Sequence, residues 1–185
     1  MSELAKVLYN HNAILSMLSF CYTNFMSKPR VLYHASANKN LEELQPNNDY
    51  PRFEGEGPLV FATQHLAAAA MFLAPKSIPT NMSIFGDTHV LFINAREEQF
   101  IKADNGGAIY TLPGVTFETD PSIGMGENEW TSNVSVTPFD KTVYETSIRA
   151  MDEHGVVRYF VSDSQMTRIQ GDPARALEVV NYIHE

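Results

Sequence analysis

Val31-Leu32-Tyr33-His34-Ala35-Ser36 is the stretch on which the reading of this chain turns. Val31 to His34 reads as a short strand, because β-branched, large apolar and aromatic residues favour a pleated, half-buried backbone. Ser36 to Asn40 is rich in Ser and Asn and predicts a turn. A histidine therefore ends a strand, and its two small neighbours leave the backbone within reach of a ligand.

Working outward, residues 45–57 read as loop, carrying Pro46, Asn47, Asn48, Pro51, Gly55 and Gly57. Leu59-Val60-Phe61-Ala62 predicts a buried strand, and Thr63 a cap for a helix over Gln64–Ala74 that Pro75 stops. The next loop is expected to run to Asp87, before a strand at His89–Ile93. Short elements follow at Gln99–Lys102, Ala108–Thr111 and Val115–Glu118, and an exposed loop at Asp120–Asn128. Glu129 to Thr137 alternates, with Trp130, Val134 and Val136 on one face. A helix is predicted at Ser147–His154 with Gly155 behind it, a strand at Val156–Val161, and a last helix opened by Asp172-Pro173. Strands and helices without regular βα alternation imply an α+β fold.

The N-terminal residues 1–27 are expected to form a helical arm on a domain spanning 28–185. Residues 13–25 are apolar but fall short of the roughly 20 residues that cross a bilayer. They also lack the basic start, beyond Lys6, and the small-residue cleavage site of an export signal. With 185 residues the chain can bury a core without metal or disulfide staples. Cys21 is the single cysteine, which excludes an intrachain disulfide and a cysteine-based zinc cage. A cytoplasmic location is the expectation. The formal charge of −9 and the lack of any basic run argue against long nucleic acid as a partner.

No G-x-S-x-G elbow, Walker loop, G-x-G-x-x-G or H-E-x-x-H is present, and the six histidines show no helical ligand spacing, so no metal site is expected. Three segments remain: Val31–Ser36, Gly57–Thr63 with the alanine-rich helix behind it, and Asn128-Glu129-Trp130-Thr131-Ser132. Each is a strand with a polar residue near its end. His34, Ser36 and Glu129 together suit a small-molecule cleft.

In order and spacing these segments resemble the ADP-ribosyltransferase superfamily, in its poly(ADP-ribose) polymerase-like branch, over roughly residues 30 to 137. His34-Ala35-Ser36 stands for that branch's His-Gly-Ser, Leu59-Val60-Phe61-Ala62 for its Gly-x-Tyr-Phe-Ala, and Asn128-Glu129-Trp130 for its Asn-Glu-Tyr. The resemblance implies a split β-sheet with flanking helices that holds NAD, with ADP-ribose transferred to an unknown acceptor, a protein or a small molecule. It implies that His34 bonds a ribose hydroxyl and that the Ala35 backbone pairs with the nicotinamide carboxamide, Ser36 completing the motif. Phe61 or Phe72 would stack on the nicotinamide ring, and Glu129 would hold the 2′-hydroxyl of the adjoining ribose. Arg52, and with it Lys39 or Arg30, would face the pyrophosphate.

The chain departs from the pattern at two positions. Val60 stands where the family has tyrosine, and Ala35 where it has glycine. Glu127 competes with Glu129 for the acidic role, and the alternation after Trp130 favours Glu129. A second alignment puts Arg158 at the acidic position and implies a module that binds NAD or ADP-ribose without transfer. An RNA 2′-phosphotransferase-like activity is the third reading, disfavoured by the acidity of the chain. Twelve of the 22 carboxylates lie between Glu97 and Asp163, against four Lys or Arg.

Overall fold

A computed structural model describes residues 28–47, 52–171, 175, 176 and 178. The arm expected over 1–27 and the Asp172-Pro173 helix start lie outside the described residues. The order is β1 (Val31–Ser36), β2 (Val60–Ala62), α1 (Leu66–Met71), β3 (Thr80–Phe85), β4 (Thr88–Ile93), α2 (Glu97–Ala103) and β5 (Gly107–Pro113). It continues with β6 (Trp130–Ser132), β7 (Asp140–Tyr144), α3 (Ser147–Glu153), β8 (Val157–Phe160) and α4 (Asp163–Gly171). Single 3₁₀ turns lie at Gly114–Thr116 and Gly126–Asn128. The fold is α+β, as the sequence implied.

Three small sheets carry it. β1, β5 and β7 form one antiparallel sheet in that order, β2 pairs with β6 antiparallel, and β4 lies between antiparallel β3 and parallel β8. Alternation explains why β4 is continuously apolar. Leu91 and Ile93 face one core while Val90 and Phe92 face another, so both sides of the strand are buried. β5 does the same, with Ile109 on one side and Ala108, Tyr110 and Leu112 on the other. The cluster that β4 and β5 share also takes Tyr144 of β7, the alanines of α1 and Ala150 and Met151 of α3. It therefore sits between the two three-stranded sheets.

Several elements differ from the sequence reading. The helix expected over Gln64–Ala74 is only Leu66–Met71, because Thr63 is tied into an extended bridge with Tyr33 (N···O 2.7 and 2.9 Å). Thr63 Oγ1 accepts from the His65 amide, but His65 is the residue at the helix start. The loop expected up to Asp87 contains β3, joined to β4 by the tight turn Gly86-Asp87 with Gly86 at φ 58°. The alternating run from Glu129 breaks after Ser132, whose hydroxyl engages Val134 in a local turn and leaves that valine exposed. β7 and α4 fall where no element was assigned. The helix at Ser147–Glu153 and the strand at Val157–Phe160 agree with expectation to a residue.

Asp104 pins β5 to α3. Its carboxylate is buried and accepts from the amides of Gly106 (3.0 Å), Ser147 (2.7 Å) and Ile148 (3.1 Å). An anion that collects three amides satisfies the unpaired start of α3 and fixes the turn into β5. Asp104→Ala is expected to cost about 3 kcal/mol in urea unfolding, since it orphans all three donors. A loss below about 0.5 kcal/mol, the usual size for a surface substitution, would contradict that account.

Candidate functional site

The geometry begins with hydrogen-bond direction. In an antiparallel strand the backbone groups of successive residues point to alternate edges. Tyr33 exchanges both bonds with Thr63, so Tyr33 and Ala35 address the β2 edge of β1. Leu32, His34 and Ser36 address β5, consistent with Arg30 O accepting from Gly114 N at 3.0 Å. Continued for one more rung, the ladder would join Ala35 to Phe61. It stops instead, because Tyr33–Thr63 is an isolated bridge.

His34 is what takes the missing rung. Its Nδ1 lies 2.7 Å from the carbonyl of Phe61. A carbonyl only accepts, so Nδ1 carries the proton and Nε2 is the free acceptor of the ring. Burial pushes the His34 pKa below its ordinary value, more strongly than the bond to Phe61 raises it. The imidazole is thus neutral near pH 7. The ladder is left open here: the Ala35 N–H and C=O address the β2 edge without a β2 backbone partner, in a gap bounded at one end by Tyr33–Thr63. At the other end Asn47 bridges Leu59, with N···O distances of 3.1 and 2.9 Å.

The second half of the site is built on β2 and β6. Phe61 lies opposite Thr131, and Glu129, two residues earlier than Thr131, leaves from the same face. Arg52 joins them: its guanidinium carbon lies 5.6 Å from the centre of the Phe61 ring and Nη1 donates to Glu129 Oε1 at 3.0 Å. Nε and Nη2 both donate to Glu56 Oε1, at 2.8 and 2.6 Å, and the Arg52 amide donates to Glu56 Oε2 at 2.7 Å. The three side chains are only 15% (Arg52), 5% (Glu56) and 13% (Glu129) exposed. The hydrogen bonds to Glu56, then those to Glu129, raise the Arg52 pKa, and Arg52 in turn lowers that of Glu56. Asp120, held low chiefly by Ser122, also lies in the field of Arg52.

Gly124 completes the wall. It sits at φ 60°, and a β-carbon there would lie 2.2 Å from Glu129 Oε1. The Asp120–Asn128 loop thus closes directly on the carboxylate, which only a residue without a side chain permits.

Of the residues singled out from sequence, Arg52, Phe61 and Glu129 come together. Glu127 is exposed and separate. His34 joins the group through the Phe61 carbonyl and makes no direct contact with Glu129; by the pleat it leaves β1 on the opposite face from Tyr33 and Ala35. Ser36 Oγ accepts from the Asn38 amide at 3.1 Å and shapes the turn after β1. Phe72 ends α1 at 45% exposure, so Phe61 is the ring that the network engages. Lys39 donates to the Asn105 carbonyl, and Arg30 lies beside Pro113 and Gly114. Arg158 pairs with Asp152. Glu56 was not anticipated; its only sequence signal is a carboxylate four residues after Arg52.

Among the described residues no group of three His, Cys, Asp or Glu is placed to hold a metal ion, and no helix is long and apolar enough to cross a membrane. No protein-family model, curated protein or solved structure matches this chain.

Two predictions follow from this geometry. A histidine whose folded pKa is depressed contributes stability that is complete above its unfolded value near 6.5 and lost as pH falls below it. His89 is depressed as well, mainly by burial and then by His65, so it acts in the same sense. The urea midpoint should fall between pH 7.5 and 5.5, and His34→Gln should flatten the fall; an unchanged slope contradicts the buried neutral imidazole. Gly124→Ala should displace the Glu129 carboxylate at a stability cost of about 1 kcal/mol, the strain of a left-handed alanine. A crystal structure of that variant with Glu129 still on Arg52 would contradict the close approach.

Proposed function

We propose that the chain is an ADP-ribosyltransferase-like domain that binds NAD in the opening between β1 and β2 and transfers ADP-ribose to an acceptor. The observation that carries the reading is the pair of backbone groups at Ala35. They face the opening instead of a neighbouring strand, and an N–H beside a C=O on one strand edge complements a carboxamide. Phe61 supplies an aromatic face next to it, and Glu129 a carboxylate on the same side of β2.

Those parts suit cleavage of the bond between ribose C1′ and the nicotinamide nitrogen. The bond breaks with its electron pair going to nicotinamide, which leaves neutral. The ribose gains the positive charge of an oxocarbenium-like state. Glu129, fixed by β6 and hydrogen-bonded to the 2′-hydroxyl, stabilises that charge more than it stabilises the ground state. An acceptor oxygen or nitrogen then attacks C1′ and releases its proton, for which the same carboxylate is a base. Neutral His34 presents Nε2 as an acceptor for a ribose hydroxyl. Val60 lies in the core with Ala62 and Trp130, so the position of the family's tyrosine contributes packing here.

A second reading, NAD or ADP-ribose binding without transfer, is favoured by one observation: Glu129 is already paired with Arg52. The phosphotransferase reading draws on several cations around a phosphate, whereas Lys39 and Arg30 are engaged or located elsewhere.

Nicotinamide release from NAD decides among these. The wild-type protein should release nicotinamide, and Glu129→Gln should lower the rate about a hundredfold while ADP-ribose still binds. Binding of ADP-ribose with no release by the wild type would establish the silent module. Absence of both would overturn the NAD reading altogether.

A further inference from the structure

The Arg52 side chain stands where the proposed substrate has to go. It lies over the ring of Phe61 and holds Glu129 Oε1, the two groups assigned to the nicotinamide ring and the adjoining ribose. A flat, delocalised cation over an aromatic ring, 5.6 Å from its centre, and bonded to a carboxylate resembles in shape and charge a pyridinium ring beside its ribose. Both cannot occupy that space together.

The way Arg52 is held matters as much as where it lies. Within its own turn, Glu56 takes the backbone amide and two of the guanidinium donors, leaving only Nη1 for Glu129. The turn from Arg52 to Glu56 is therefore an internally compensated unit. Among the described residues its side-chain ties to β2 and β6 are one hydrogen bond and one ring contact, so it can swing off β6 with its own ion pair intact. Opening leaves Glu129, only 13% exposed, without its cation, and a positively charged ligand group restores that pair.

We infer that the Arg52–Glu56 turn is an autoinhibitory clasp, in which Arg52 closes Glu129 to ligands until a planar cationic group displaces it. The inference rests on the reading of Glu129 as the functional carboxylate, and it deepens that reading by adding a closed state. Glu56 is a positioning residue: it acts only through Arg52. The clasp also reverses the sequence-based role of Arg52, which was assigned to the pyrophosphate.

The test uses the full chain and two readouts. Coupling of carboxylates to glycine ethyl ester by a water-soluble carbodiimide, mapped by mass spectrometry, reports how open Glu129 is. Nicotinamide release at NAD well below KM reports function. The variants are Arg52→Gln and the double variant Arg52→Gln with Glu56→Gln, which leaves no unpaired buried carboxylate at position 56. In the wild type, Glu129 should couple about tenfold more slowly than exposed Glu127, and both variants should remove most of that difference. Nicotinamide release should rise about fivefold in the variants. Equal coupling of Glu129 in wild type and variants overturns the clasp, whatever the turnover. Faster coupling with slower release overturns its inhibitory role and returns Arg52 to substrate binding. Faster coupling with no release from any protein supports the closed contact and overturns the transferase reading beneath it.

Discussion

One hydrogen bond separates two strands that would otherwise zip together. The His34 imidazole reaches the Phe61 carbonyl at 2.7 Å and occupies the rung that Ala35 would have made. A backbone bond would have satisfied the same carbonyl, so the histidine costs the fold little there. What it changes is the other side of the exchange: the Ala35 N–H and C=O face space instead of a strand. An unsatisfied pair of backbone groups at a strand edge is a liability unless something binds it. The Asn47–Leu59 bridge and the Tyr33–Thr63 bridge confine the opening to the length of that one missing rung. Removing the histidine would remove the reason for the opening.

The charge of the chain bears on the same place. The excess of carboxylates over cations between Glu97 and Asp163 weighs against an anionic ligand, and the structure makes that objection specific. Arg52 meets Glu56 and Glu129 at once, with Asp120 within its field, so its positive charge is already spoken for. A pyrophosphate gains little from such an arginine, whereas a cationic ring gains from the carboxylates once the arginine has left. In the proposed complex these electrostatics would place the nicotinamide half of NAD, and not the pyrophosphate, at Glu129.

The elements legible in the sequence were those whose side chains carry their own burial pattern. β1, β2, β4 and β8 have compact apolar runs, and α3 has a closing glycine. β7 was missed because four of its five residues are exposed, so it shows no buried face to read. β3 was masked by its polar Thr80, Asn81 and Ser83, although the Gly86-Asp87 turn before an obvious strand was a usable hairpin signal. The helix after Thr63 came out short because a tertiary bridge held its expected first turn extended, which local propensity does not register. Glu129, singled out from Glu127 by the alternation around Trp130, is the glutamate that meets Arg52, while Glu127 is exposed. The ion pair itself was not legible: Arg52 and Glu129 are 77 residues apart, and only the pairing of β2 with β6 brings them together.

Amide chemical shifts report on the Ala35 backbone as the proposed carboxamide receptor. In a titration of uniformly ¹⁵N-labelled protein with nicotinamide or benzamide, the Ala35 amide proton should move downfield saturably, with Phe61 following. The amides of Leu32 and Tyr110, locked in the β1–β5 ladder, should stay in place. An Ala35 amide that does not move at saturating amide concentration, or that is protected from solvent exchange as strongly as its ladder neighbours, would contradict the account.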